Sequence, residues 1–184
     1  MIIDVNILIW LFPFAFMLHD FEELILFEPW LKKNASVIIG RVKNKIPAFL
    51  ERQFNSMVGK TTPQFAFPIC LIFILTFISS LLAAGFGKYA FFLLASSLFF
   101  LHAFMHIGQA IFLQRYIPAL ITSVLIVIPY GLFLFRRLIV TGIVTFPELV
   151  VYFMVSIALG IPFIIGTHMA GEYAYKRAID ILVG

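Results

Sequence analysis

Five long apolar runs alternate with shorter polar segments along the chain. They lie near residues 5–27, 65–86, 89–114, 118–135 and 147–171. Each run is long enough to cross a hydrocarbon core, which takes roughly 20 helical residues. None shows the period-two alternation of a membrane β-barrel strand. Because a helix satisfies its own backbone hydrogen bonds in lipid, the pattern predicts an all-α, polytopic helical membrane protein with residues 1–184 in one integral membrane domain.

Composition supports a membrane location. The 184 residues are 62% hydrophobic and 12% charged, and include 23 phenylalanines. A soluble domain carries about twice that charged fraction. The single cysteine, Cys70, rules out a disulfide within the chain. In a membrane protein, a net charge of +4 indicates which loops face the cytoplasm. We therefore expect no nucleic-acid partner.

The longest polar segment, residues 28–64, separates the first two runs and carries seven of the thirteen lysines and arginines. The positive-inside rule places it in the cytoplasm of a cell with an inner membrane, with the N-terminus outside and the C-terminus in the cytoplasm. Apolar residues recur between its cations at roughly helical spacing. This pattern predicts an amphipathic segment on anionic inner-leaflet lipids, and a solvated connector is the alternative.

All four histidines fall within predicted spans, and each has a potential ligand three or four residues away. Positions three, four and seven residues apart share one face of a helix. Three of the five helices can therefore present a stripe of metal ligands. The candidates are His19, Glu22, Glu23, His102, His106, Gln109, His168 and Glu172.

These candidates fall at similar depths in the membrane. At ~1.5 Å per residue from the predicted cytoplasmic ends of the spans, His19, His106 and His168 lie roughly 13 Å deep. By the same count His102 lies near ~20 Å, whereas Glu23, Gln109 and Glu172 lie about 7–9 Å deep. We expect the polar groups to converge on one layer in the cytoplasmic half of the membrane.

Several carboxylates and imidazoles at one depth require a compensating cation, and the first span contains no lysine or arginine before Lys32. A divalent metal neutralises carboxylates and accepts neutral imidazoles, so we predict one or two ions, with zinc favoured over iron or manganese. A proton-coupled polar network is the alternative. Asp20 and Gln109 are expected to hydrogen-bond the ligands. The predicted ligands are His19, Glu23, His102, His106, His168 and Glu172.

A zinc site of this kind predicts a hydrolase or related transferase that acts on a lipid or another amphiphilic molecule, with Glu22 or Glu23 as the general base. Two irons would instead indicate oxygen chemistry on a lipid chain. Metal-ion or proton-coupled transport through the same cluster is the alternative function, and a metal-sensing or accessory membrane subunit is a third. Transport requires access from both faces, yet the outer halves of the spans are nearly featureless. A homo-oligomer is compatible with each function.

The stretch from His19 to Glu23, HDFEE, resembles the defining motif of the HXXEE family, a group of small, mostly bacterial membrane proteins. The resemblance extends to His106, Gln109 and Pro118 on a matching order of spans. It implies a short multi-helix membrane domain over nearly the whole chain, with the motif's histidine and two glutamates as the defining site. The family often has asparagine four residues before its later histidine, where this chain has His102. The resemblance implies no particular reaction.

Overall fold

Five long helices make up most of the computed structural model, which describes residues 4–43, 45, 47–48, 51–52, 55 and 60–182. They are α1 (Val5–Val42), α2 (Thr62–Phe86), α3 (Tyr89–Leu113), α4 (Leu120–Val140) and α5 (Phe146–Leu182). All five are long and apolar enough to cross a membrane, and the described residues contain no strand. The prediction of an all-α polytopic fold is confirmed, and α1 and α5 extend past the predicted span ends at residues 27 and 171.

Local sequence signals set several helix ends. At the start of α1, the side chain of Asp4 accepts a hydrogen bond from the backbone N–H of Asn6 at 2.8 Å. At the start of α2, the backbone N–H of Thr61 donates to the side chain of Gln64 at 2.9 Å, as in a capping box. Gly87 ends α2 with a φ of 66°, a conformation that glycine adopts without steric cost.

Helix α1 is longer than the sequence predicts, because it continues through residues 28–42. Its 38 residues span ~57 Å, about twice the thickness of a hydrocarbon core. Leu31 and Ile38 in this extension are buried against Leu113 and Ile117. Residues 28–42 therefore continue α1 and pack on the chain's own α3–α4 connection, and their contact with anionic lipids stays a prediction. Residues 44, 46, 49–50, 53–54 and 56–59 of the predicted amphipathic segment lie outside the described residues.

The helices pack around an aromatic core. Helix α1 packs mainly on α2, α2 and α3 both contact α5, and α4 packs on α3 and α1. Phe12 of α1 meets Phe92 and Phe99 of α3 at centroid distances of 5.5 and 5.7 Å. His19 of α1 lies directly beside this core, with its ring 5.4 Å from that of Phe99. The core therefore fills the bundle on the side of His19 where α1 and α3 begin.

A carboxylate of α1 also fixes the start of α2. The backbone N–H and hydroxyl of Thr62 donate to Glu28 at 2.6 and 2.7 Å. Glu28 also accepts a bond from Lys32 at 2.6 Å. A negative charge at the N-terminus of a helix is favourable because the first N–H groups of the helix have no partner within it. Glu28 thus sets where α2 begins relative to α1.

Candidate metal centre

Four of the predicted site residues come together between α1 and α3. His19, Glu23, His102 and His106 each offer one ligand atom, and these atoms all lie within 4.8 Å of one another. Each helix contributes a pair four residues apart, which is the spacing that brings two side chains onto one face. We call these four residues the His–Glu group.

Distances within the His–Glu group are short. The Nε2 atoms of His106 and His102 are 2.9 Å apart, and Nε2 of His106 lies 4.0 Å from Oε2 of Glu23. The ring centroid of His19 lies 5.1 Å from that of His106 and 5.5 Å from that of His102. Two ring nitrogens as close as those of His106 and His102 must share either a proton or a cation.

The burial of the His–Glu group favours a metal cation over a proton between these side chains. His19 and His106 are buried, and Glu23 exposes 14% of its side chain. Among the described residues, the group that lies within ion-pair distance of Glu23 is His106, rather than a lysine or an arginine. Nε2 of His19 and Nδ1 of His106 are buried without a hydrogen-bond partner in the described part of the chain. A buried carboxylate beside three imidazoles suits a divalent metal such as zinc, which takes nitrogen and oxygen ligands.

Glu22 lies outside the His–Glu group and binds the start of α4. Its carboxylate accepts hydrogen bonds from the Tyr116 hydroxyl at 2.6 Å and the Ile121 N–H at 3.3 Å. It also accepts bonds from the N–H and hydroxyl of Thr122 at 2.7 and 2.6 Å. The Thr122 hydroxyl lies 3.2 Å from Nδ1 of His19 as well. The role of Glu22 as a general base stays a prediction, and in the structure its two oxygens accept hydrogen bonds from four donors.

An unusual backbone presents Thr122 to Glu22 and His19. Gln114 and Ala119, at the two ends of the α3–α4 connection, have φ values of 48° and 66°. Such left-handed conformations are uncommon for residues other than glycine and concentrate at functional sites. A π-helical turn, Ser123–Val127, follows Thr122 directly, and π-turns within helices are also frequent at functional sites.

Tyr116 within this connection is held as a hydrogen-bond donor. Burial of its hydroxyl, together with the hydrogen bond to Glu22, raises the pKa of Tyr116 above its usual value. Its backbone carbonyl accepts a bond from the indole N–H of Trp30 at 2.7 Å. The connection is thereby tied to α1 at two places.

His168 and Glu172 of α5 were predicted as ligands but are not members of the His–Glu group. The ring of His168 lies 5.3 Å from that of Phe65 in α2. The carboxylate of Glu172 forms ion pairs with Lys60 at 3.4 Å and with Lys176 at 3.2 Å. The two lysines thus compensate the negative charge of Glu172, which was predicted to bind a metal ion.

The two residues expected to support the ligands differ in their surroundings. Asp20 is buried, and its Oδ2 atom has no hydrogen-bond partner among the described residues. Gln109 is exposed, although it lies three residues after His106. Asp20 therefore remains a candidate for supporting the group, whereas the position of Gln109 does not favour that role.

Sequence reasoning missed Thr122 and Tyr116. Thr122 and Ser123 form a pair of hydroxyl side chains near the start of the fourth apolar run. By the depth count applied to the histidines, this pair lies in the same half of the membrane as His19. Polar residues within a span usually face the interior of a helix bundle, so this signal was available in the sequence.

Comparison with known proteins identifies the family. The sequence model of a family described as "Protein of unknown function with HXXEE motif" matches residues 10–134, about two thirds of the chain. The match contains all four residues of the His–Glu group and also Glu22, Tyr116 and Thr122. No curated protein and no solved structure matches the chain. The chain belongs to the HXXEE family.

Proposed function

We propose that this member of the HXXEE family is a membrane-embedded, metal-dependent enzyme. The three histidines of its His–Glu group would hold a divalent cation beside Glu23, with zinc favoured over iron or manganese. The reaction would be hydrolysis, or a related group transfer, of a lipid or another amphiphilic molecule. The observation that carries the proposal is the largely buried carboxylate of Glu23 beside three imidazoles, with no lysine or arginine within ion-pair distance among the described residues.

The donor set suits a catalytic zinc site. Such sites use three protein ligands and keep a position open for water or substrate. His19, His102 and His106 provide three nitrogens, and Glu23 is then free to act on the substrate. A bound zinc ion would supply a Lewis acid and a water molecule of lowered pKa. Glu23 would accept the proton of that water and later deliver it to the leaving group.

The surroundings of the group favour catalysis over transport. Phe12, Phe16 and Phe99 pack together beside His19, on the side where α1 and α3 begin. These three rings offer no ligand to an ion, so a path across the membrane through the group would have to use other side chains. A substrate that enters from the opposite, predicted cytoplasmic, half would not have to pass these rings.

The orientation in the membrane belongs to the same proposal. With residues 28–64 in the cytoplasm of a cell with an inner membrane, the N-terminus would lie outside and the His–Glu group would lie in the cytoplasmic half of the membrane. The cations beyond α1 would then meet anionic lipids of that leaflet. A lipid substrate could reach Glu23 from the same side.

Reconstituted protein can test the proposed activity. Purified chain, either metal-free or loaded with zinc, is placed in vesicles of a polar lipid extract, and lipids and products are followed by mass spectrometry. We expect zinc-dependent release of a lipid fragment. Replacing Glu23 by Gln should slow it by about 10²–10⁴-fold, because general base catalysis contributes that much. Glu28→Gln, which changes the α1 carboxylate that binds the start of α2, is the matched control and should retain activity. Unchanged lipids together with zinc flux across the vesicle membrane would support transport instead.

A further inference from the structure

We infer that Glu22 and Thr122 are positioning residues that hold the proton of His19 on Nδ1, so that the lone pair of Nε2 points into the His–Glu group. This inference rests on the proposed metal-binding function, because it explains how one ligand is prepared for the ion. The two residues would act through His19 and would not touch the metal or the substrate.

The carboxylate of Glu22 is the acceptor at the start of this chain. Besides the Thr122 hydroxyl, it faces the Tyr116 hydroxyl and the N–H groups of Ile121 and Thr122. The two N–H groups can only donate, and an ionised carboxylate can only accept. The 2.6 Å contact between the Thr122 oxygen and Oε2 of Glu22 therefore uses the proton of the threonine. Its length is typical of a bond between a hydroxyl and an ionised oxygen.

The hydroxyl of Thr122 has one proton and two lone pairs. Once that proton is donated to Glu22, the oxygen can only accept from Nδ1 of His19, at 3.2 Å. The carbonyl of Ala119 is an alternative acceptor for the hydroxyl proton, but it lies farther away, at 3.4 Å. Nδ1 of His19 must then carry the proton, and a neutral ring has its lone pair on Nε2.

Nε2 is the nitrogen of His19 that this assignment leaves for a metal ion. Nε2 is buried and has no hydrogen-bond partner in the described part of the chain. The ring it belongs to lies 5.1 Å from that of His106. Metal-bound histidines commonly donate their other N–H to a second group, which fixes the tautomer and the ring orientation. Here that group is the hydroxyl of Thr122, which in turn donates a hydrogen bond to the carboxylate of Glu22.

The arrangement gives the two glutamates of the motif different roles. Glu22 is three residues after His19, so both side chains reach Thr122 of α4. Glu23 is four residues after His19 and joins the His–Glu group. The spacing of the motif therefore combines one residue that belongs to the site with one that orients a ligand.

Nuclear magnetic resonance of the metal-free protein tests the tautomer directly. The chain has only four histidines, so ¹⁵N-histidine labelling in detergent micelles gives few signals, and His19→Gln identifies those of His19. Nitrogen shifts distinguish protonated from unprotonated ring atoms. We expect the wild-type protein to carry the His19 proton on Nδ1. A proton mainly on Nε2 would overturn the inference without requiring any variant to fold.

Substitutions of Thr122 separate positioning from structural support. Thr122→Val keeps the shape but removes the hydroxyl, and should shift the His19 proton towards Nε2 and weaken zinc binding by about 10–100-fold. Thr122→Ser restores the hydroxyl and should restore both. Thr62→Val removes an equivalent hydroxyl-to-glutamate bond at the start of α2 and should alter neither. An unchanged His19 tautomer in Thr122→Val would overturn the inference. If the tautomer shifts as expected but wild-type protein binds no zinc, the proton assignment stands and the proposed metal function fails.

Discussion

Replacing Glu22 by Gln should destabilise the protein even when no metal is bound. The carboxylate of Glu22 accepts four hydrogen bonds, all from the start of α4 and the connection before it. Glutamine keeps one acceptor oxygen and turns an NH₂ group towards donors, so about half of these bonds are lost. The change therefore loosens α4 from α1 without altering any residue of the His–Glu group.

The size of the effect follows from the number of bonds lost. Hydrogen bonds to charged groups contribute ~1.5–3 kcal/mol, whereas side-chain bonds between membrane helices average about 0.6 kcal/mol. A value of ~1 kcal/mol for each of two bonds gives a loss of about 2 kcal/mol in the free energy of unfolding. For a chain of this length, that corresponds to a Tm lower by about 4–8 °C.

The assay is thermal unfolding of metal-free protein in detergent, followed by circular dichroism. Glu23→Gln is the matched comparison, because it removes the neighbouring carboxylate, whose described polar contact is with His106 at 4.0 Å. We expect the Tm of Glu23→Gln not to fall, since this carboxylate accepts no hydrogen bond from a described residue and its removal relieves an uncompensated charge. An unchanged Tm in Glu22→Gln, together with complete loss of lipid turnover, would refute the reasoning and assign the role of general base to Glu22.

Three further substitutions test the packing, one of them as a control. Arg41→Ala removes the hydrogen bond from Arg41 to the backbone carbonyl of Leu113. Backbone amides near the end of α3 should therefore exchange hydrogen faster. Exchange rates equal to those of the wild type would contradict the packing of the α1 extension on this part of the chain. Gly171→Ala should lower the Tm, because its new Cβ atom would lie 2.5 Å from the ring of Pro68. Gly166→Ala is the control in the same helix. Its Cβ atom would meet nothing within 4 Å, so the Tm should rise slightly. Equal Tm changes in the two alanine variants would show that α2 and α5 do not approach closely at Gly171.

The sequence predicts where the helices lie and which candidate site residues share one face of a helix. Apolar runs locate all five helices, because crossing lipid requires length and hydrophobicity that are visible residue by residue. The four-residue offsets of His19 with Glu23 and of His102 with His106 place each pair on one face. These two pairs are the ones that meet in the structure.

Relations between helices could not be predicted. Offsets fix the face that His168 shares with Glu172, but not the rotation of α5 against its neighbours, and Lys60 engages Glu172 from a distant part of the chain. Similarly, the end of the first apolar run gave no sign that α1 continues, because its extension is stabilised by burial against Leu113 and Ile117. The role of Glu22 depends in the same way on Thr122, which is 100 residues away along the chain.

Metal content is the most direct test of the central claim that the His–Glu group binds a divalent ion. The protein is purified in mild detergent without added metal, and metal per chain is measured by mass spectrometry for wild type, His106→Ala and His168→Gln. The account predicts about one equivalent of zinc in wild type and in His168→Gln, and none in His106→Ala, which removes a member of the group. No metal in the wild-type protein even after incubation with zinc, iron and manganese, or full occupancy in His106→Ala, would contradict it.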